Sequence, residues 1–162
     1  MSEIFSSGIF WALMGAAFAS FFACIGSAMG VGIAARASAG VLSEDPSKFG
    51  KLLILMILPG TQGLYGVIIS VFIFTRIGVL GGSADIAFTQ GLLCFVGSLP
   101  IAFGGMLSAI AQGKTAAAGV ALVAKRPDDS SKAVVSTSLV EFYAILSLIV
   151  SILMIMGYDA FA

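Results

Sequence analysis

One acid in this chain stands where acids are rare: Glu141 interrupts the apolar run from Ala133 to Tyr158. An ionisable group deep in such a run costs about 2.5–3.5 kcal/mol on insertion scales, which marks it for chemistry before packing. A lone carboxylate persists among apolar neighbours in two ways. It takes up a proton, because desolvation disfavours its charged form, or it holds a cation together with other oxygens. The second route leaves a trace in this sequence. Leu58, Thr61, Gln62 and Tyr65 are spaced i, i+3, i+4, i+7 and share one helix face, which offers a hydroxyl, an amide and a phenol. Pro59 has no backbone N–H, so it frees the carbonyl of Leu55 and kinks the helix beside that face. Gln112 adds an amide near the end of another apolar run. Each residue also has a plainer reading: Gln62 as glue between helices, Thr61 bonded to its own backbone, Pro59 as a kink alone, Glu141 as a neutral carboxyl tying helices together. Together they supply one negative charge and several neutral oxygens, a donor set for a hard monovalent cation that gives a soft metal no thiolate or imidazole.

Other chemistry is excluded. The chain has no histidine, no Gly-rich loop ending in Gly-Lys-Ser/Thr and no Gly-x-Gly-x-x-Gly between a strand and a helix, so it has no nucleotide site of its own. Cys24 and Cys94 fall inside apolar runs, which fits small buried thiols and not a disulfide framework. Nothing points to nucleic acid.

The elements that position these residues are membrane helices. The 162 residues are 59% hydrophobic and 10% charged, with a mean hydropathy of +1.12, which places the chain in lipid. Four runs approach or exceed the roughly 20 apolar residues a span needs: Ile4 to Ala35, Leu52 to Thr75, Ile86 to Gly113 and Ala133 to Tyr158. The first follows no basic segment and is too long for a secretory signal, so it is expected to remain as a span. The predicted fold is an all-α membrane domain over residues 1–162, with one helical hairpin over 4–42 and 49–77 and a second over 86–124 and 131–158.

Seven of the eight basic residues gather around the first and third connections: Arg36, Lys48, Lys51, Lys114, Lys125, Arg126 and Lys132. Basic loops stay cytoplasmic, so both termini and the Gly78–Asp85 connection, with Glu3, Arg76, Asp85 and Asp159, are expected outside. Both basic loops are short and built around a proline, Pro46 and Pro127. Gly40 aligns with Gly119 and Gln62 with Glu141, so the chain reads as a parallel duplication, unlike an inverted-repeat transporter.

Spans one and three carry small residues four apart: Gly26, Gly30, Ala34 and Ser38, then Gly105, Ala109, Gly113 and Ala117. Such stripes let helix backbones approach closely in lipid, and two of them per chain suggest contact with further copies in a ring. Spans two and four are bulkier, with Leu52, Leu53, Ile54, Leu55 and Met56 in one and Ile145, Leu146, Leu148, Ile149 and Ile152 in the other; they suit an outer, lipid-facing layer.

Two Gly-rich hairpins, Pro59-Gly60-Thr61-Gln62-Gly63-Leu64-Tyr65-Gly66, Ile110-Ala111-Gln112-Gly113-Lys114 and Val140-Glu141-Phe142-Tyr143 together resemble the c subunit, or proteolipid, of V-type ATPases, from about Phe10 to Met156. More narrowly, the chain is similar to the sodium-translocating rotor subunits of bacteria. The resemblance implies a ring of identical subunits in a bacterial plasma membrane, with helices 1 and 3 inside and 2 and 4 outside. It also implies a stator a-type subunit whose arginine displaces the ion, and central-stalk subunits at the cytoplasmic loops. Carried onto this sequence, it makes Glu141 the ion-carrying carboxylate, Thr61, Gln62 and Gln112 side-chain ligands of Na+, and Leu58 a main-chain ligand, with Tyr65 hydrogen-bonded to the carboxylate. Proton-coupled proteolipids typically lack the two glutamines, so Na+ is preferred over H+. The rivals are a small exporter of organic cations and a structural membrane spacer. Against the first, spans two to four have few large aromatics near Glu141 that could stack on an organic cation and the oxygen cluster around Gln62 would be unnecessary; the second leaves Glu141 unexplained.

Overall fold

The computed structural model describes residues 2–82, 86–157 and 159. Asp85 and Tyr158, named above in the outer connection and at the end of the fourth span, lie outside them. A short helix α1 (Ser2–Ser6) leads into α2 (Gly8–Glu44); α3 (Phe49–Ile57) and α4 (Thr61–Arg76) form the second span, α5 (Phe88–Lys125) the third and α6 (Ser130–Met156) the fourth. Among the described residues, four helical segments are long and apolar enough to cross a membrane.

Helices α2 and α5 outrun their apolar runs. At 37 and 38 residues they extend about 55 Å, nearly twice a hydrocarbon core, and end only where Asp45 and Arg126 leave the helical region with closely similar backbone angles. Each is followed by a single 3-10 turn opened by a proline, Pro46–Lys48 and Pro127–Asp129, so the two loops are copies of one device. In the first, Asp45 accepts hydrogen bonds from the backbone N–H and hydroxyl of Ser47, and the hydroxyl bond holds its carboxyl below the ordinary 3.8. The loops are laced together, because Lys48 donates to the carbonyl of Ala124 and Lys51 to that of Pro127. At the opposite end Arg76 pairs with Asp159 at 3.2 Å, joining the ends of α4 and α6.

Helix α2 packs chiefly on α5, while α4 lies on α2 and α6 on α5; α4 and α6 meet only along a short stretch. The small-residue stripes make the α2–α5 contact. A Cβ on Gly113 would collide with the backbone of Gly30, one on Gly26 with that of Met106, and one on Gly15 would stand 2.8 Å from the carbonyl oxygen of Cys94. Two stripes therefore satisfy each other within one chain and do not by themselves call for further copies. Ala117 also drifts off the stripe to half-burial while Ala116 is fully buried, since four residues turn a helix by more than one full turn.

The bulky spans are not uniformly outward. Leu52 and Leu55 are fully buried among Ala34, Ala116, Val120, Val123 and Ala133, filling the wedge above the small residues, whereas Ile54, Leu146 and Ile149 are exposed. Cys24 is exposed and Cys94 buried; both are free thiols.

Candidate ion-binding site

The second span breaks where Pro59 predicts. Leu58–Gly60 is a 3-10 turn between α3 and α4, and Pro59 is buried, close to the position a Cβ on Gly30 would occupy. The break places Thr61 at the first position of α4, with its N–H bonded to the Leu58 carbonyl across the 3-10 turn. The Thr61 hydroxyl donates to the carbonyl of Leu58 at 3.0 Å. This is the local bond its plainer reading anticipates, and it uses the hydroxyl proton while leaving the oxygen's lone pairs to face elsewhere.

Three residues on, the Tyr65 hydroxyl donates to Oε1 of Glu141 at 2.5 Å, crossing from α4 to α6. Both side chains are half-buried, so the carboxylate sits at the surface of the single chain and not in its core. Gln62 and Gln112 are fully buried, and Nε2 of Gln62 donates to Oε1 of Gln112 at 2.6 Å. Nε2 of Gln112 in turn donates to the backbone carbonyl of Thr137 at 3.1 Å. A carbonyl only accepts, so this last bond fixes the orientation of the whole amide chain. Gln112 must present its oxygen to Gln62, and Gln62 must present its nitrogen in return. The outcome is a buried Oε1 of Gln62 with no hydrogen-bond partner among the described residues. Such an orphan acceptor costs about 1–3 kcal/mol, and a cation would satisfy it.

All six residues singled out in the sequence are thus joined in three contacts: Tyr65 with Glu141, Gln62 with Gln112, and Thr61 with Leu58. The amide chain ends on α6 one turn before Glu141, at the carbonyl that a continuous helix also bonds to the Glu141 N–H. Thr137 was not anticipated, although its place four residues before Glu141 puts it on the same face. Ser27 was also missed: its hydroxyl accepts the N–H of Gly63 at 2.8 Å. So was Ser108, which donates to the carbonyl of Val140 at 3.0 Å. No group of three or more His, Cys, Asp or Glu residues comes together among the described residues, so a carboxylate with neutral oxygens is the available donor chemistry.

The doubled hairpin has a counterpart among known proteins. The family model for the ATP synthase C subunit matches the chain twice, over residues 14–73 and 89–154, one match for each helical hairpin. The chain belongs to the ATP synthase C-subunit family. It is 44% identical, over 94% of each chain, to the V-type sodium ATPase subunit K of Enterococcus hirae. It is 37% identical to the A-type ATP synthase subunit K of Methanocaldococcus jannaschii, over 89% of this chain and 61% of that one. This member of the family is therefore a multi-pass membrane protein built as two tandem hairpins, with Gln62 inside the first match and Glu141 inside the second.

Proposed function

We propose that this protein is the rotor subunit of a V-type ATPase membrane sector and that a ring of identical copies carries Na+ across the membrane on Glu141. The observation that carries the ion-binding reading is the orphaned, fully buried Oε1 of Gln62, three residues before the tyrosine that holds Glu141. Its lone pairs, the carboxylate, the Thr61 hydroxyl oxygen and the Leu58 carbonyl form a set of hard oxygen donors. In this reading Gln112 contributes its oxygen or orients that of Gln62. The name of the Enterococcus hirae relative supports sodium as the cargo.

Charge decides how such a site works. With a cation bound, the site is nearly neutral and tolerates lipid; emptied, Glu141 is an anion that is costly there. Loading and unloading therefore occur beside water or beside a fixed cation. No arginine lies inside any apolar run of this chain, so that cation belongs to a stator subunit. Entry and exit paths on opposite sides of it convert ion flow into rotation in one direction. The α2–α5 contact suits the inner layer of the ring, and α4 and α6 suit the outer one that carries the site. The basic loops around Pro46 and Pro127 face the cytoplasm and the central stalk, with the termini on the other side, in a bacterial plasma membrane.

The test is protection of Glu141. A hydrophobic carbodiimide modifies a protonated, accessible carboxyl, so its rate on the purified oligomer is followed against Na+ and against K+ at equal ionic strength. Saturable protection by Na+ alone is expected. Protection by raised pH only would make the cargo a proton and return both glutamines to helix glue.

A further inference from the structure

At the proline break the Thr61 N–H bonds back to the Leu58 carbonyl, and two residues on the Gly63 N–H is taken by a neighbouring helix. That N–H is bonded by the hydroxyl of Ser27, a residue of α2 that is 93% buried, and the thiol of Cys24, one turn earlier on α2, reaches the Gly63 carbonyl at 3.9 Å. Both sides of a single residue's backbone are thus gripped by one neighbouring helix. There is no slack in the grip: a Cβ on Gly63 would come to 3.3 Å from the Ser27 oxygen and 3.5 Å from the Cys24 sulfur. The same device recurs next to the chain's other mid-span proline, where Ser151 of α6 accepts the N–H of Ile101 at 3.1 Å, directly after Pro100. In both places a serine of a neighbouring helix accepts a backbone N–H close to a mid-span proline, where lipid offers no water to do so.

We infer that Ser27, assisted by Cys24, is a positioning residue for the ion site, locking the rotation of the 61–65 turn about the α4 axis. Gln62 and Gly63 share a peptide bond, so a turn released at Gly63 carries the Gln62 carboxamide and, two residues on, the Tyr65 phenol with it. Ser27 touches neither ion nor carboxylate; its influence runs through the backbone it holds. The inference rests on the sodium-carrying reading of Glu141, and its effect is on affinity and ion discrimination together. A cage whose oxygens are held at fixed separations distinguishes Na+ from the smaller Li+, and a loosened one distinguishes them less.

The experiment uses assembled rings of the parent, Ser27→Ala and Ser27→Cys. Carbodiimide protection of Glu141 gives Na+ and Li+ affinities, and hydrogen exchange over residues 60–66 reports the Gly63 amide. Ser27→Ala is expected to weaken Na+ binding roughly tenfold, about 1.4 kcal/mol, to narrow the Na+/Li+ ratio and to speed exchange. Ser27→Cys, nearly isosteric with a weaker acceptor, is expected to fall between and remains decisive if Ser27→Ala rings do not assemble. A merely structural serine would lower ring stability and leave the Na+/Li+ ratio alone; that result, or parental affinity in Ser27→Cys with unchanged exchange, overturns the inference. If the parent ring shows no Na+ protection, the sodium reading fails by itself. Exchange and carbodiimide rates in Ser27→Ala then decide the clamp: faster exchange with an altered rate upholds it, and parental values refute it.

Discussion

Replacing Gln62 with methionine separates what this residue does for the fold from what it does for the ion. Gln62 gives Gln112 one hydrogen bond and leaves its own Oε1 buried with no hydrogen-bond partner among the described residues. Methionine removes that orphan, worth about 1–3 kcal/mol, but strips Gln112 Oε1 of its donor and so creates another of the same size. The two changes offset. The remaining loss is one net hydrogen bond, about 1 kcal/mol, partly returned by the thioether filling the same space. Sodium-free rings should therefore melt close to the parent. With sodium the outcome differs, because an oxygen facing a charge is lost; taking about 2 kcal/mol, within the range for bonds to charged groups, affinity falls about 30-fold. At a sodium concentration 100 times the parental Kd, the stabilisation conferred by binding drops from about 2.7 to about 0.9 kcal/mol per site. Melting of the purified ring, with and without Na+, reads both quantities in one preparation. Adding Gln112→Leu removes the second orphan, so the double variant should be more stable without sodium than the single changes predict by addition. A Gln62→Met ring that keeps the parental sodium-dependent shift, or that loses stability equally with and without sodium, refutes the role assigned to the orphaned oxygen.

Other outcomes follow from the same contacts. Tyr65→Phe removes the donor to Glu141, and a bond to a charged acceptor is worth about 1.5–3 kcal/mol, so Na+ protection of Glu141 against carbodiimide should weaken at least tenfold with assembly retained. Gly113→Val should separate α2 from α5, because the added carbons meet the Gly30 backbone and no flexible side chain yields; a loss of about 1–3 kcal/mol, read as a lower ring melting temperature, is expected. At the first loop, Asp45 has a folded pKa lowered from 3.8 by the Ser47 hydroxyl. Its contribution to the turn is complete above that unfolded value and is lost as pH falls through the lower folded one. Protection of the Ser47 amide from hydrogen exchange, taken relative to the intrinsic rate at each pH, should fall over that acidic window in the parent, and Asp45→Asn should abolish that fall.

The membrane spans, the break at Pro59 and the polar face 58–65 were legible because each depends on residues close in sequence, through helical periodicity or a missing N–H. The facing of the two small stripes was half legible. Their close packing was evident from Gly26, Gly30, Gly105 and Gly113, but their mutual partnership, with no copy needed to complete it, depends on how two rods lie against each other. Leu52 and Leu55 were placed outside on composition, since bulk alone does not say which side of a helix faces the wedge left by small neighbours.

By itself the sequence determined that a single acid lies in a membrane span and that oxygens suited to a hard cation share a helix face with a proline break. Spacing along a helix fixes direction around its own axis, so those statements needed no partner. Only the tertiary structure decided that Gln112 points its nitrogen at Thr137, that Gln62 is thereby left with an unmet oxygen, and that Ser27 holds the turn beside it. Axial offset and rotation between helices are set by packing across the whole interface, and one backbone carbonyl on α6, 25 residues from Gln112, is enough to orient the amide chain.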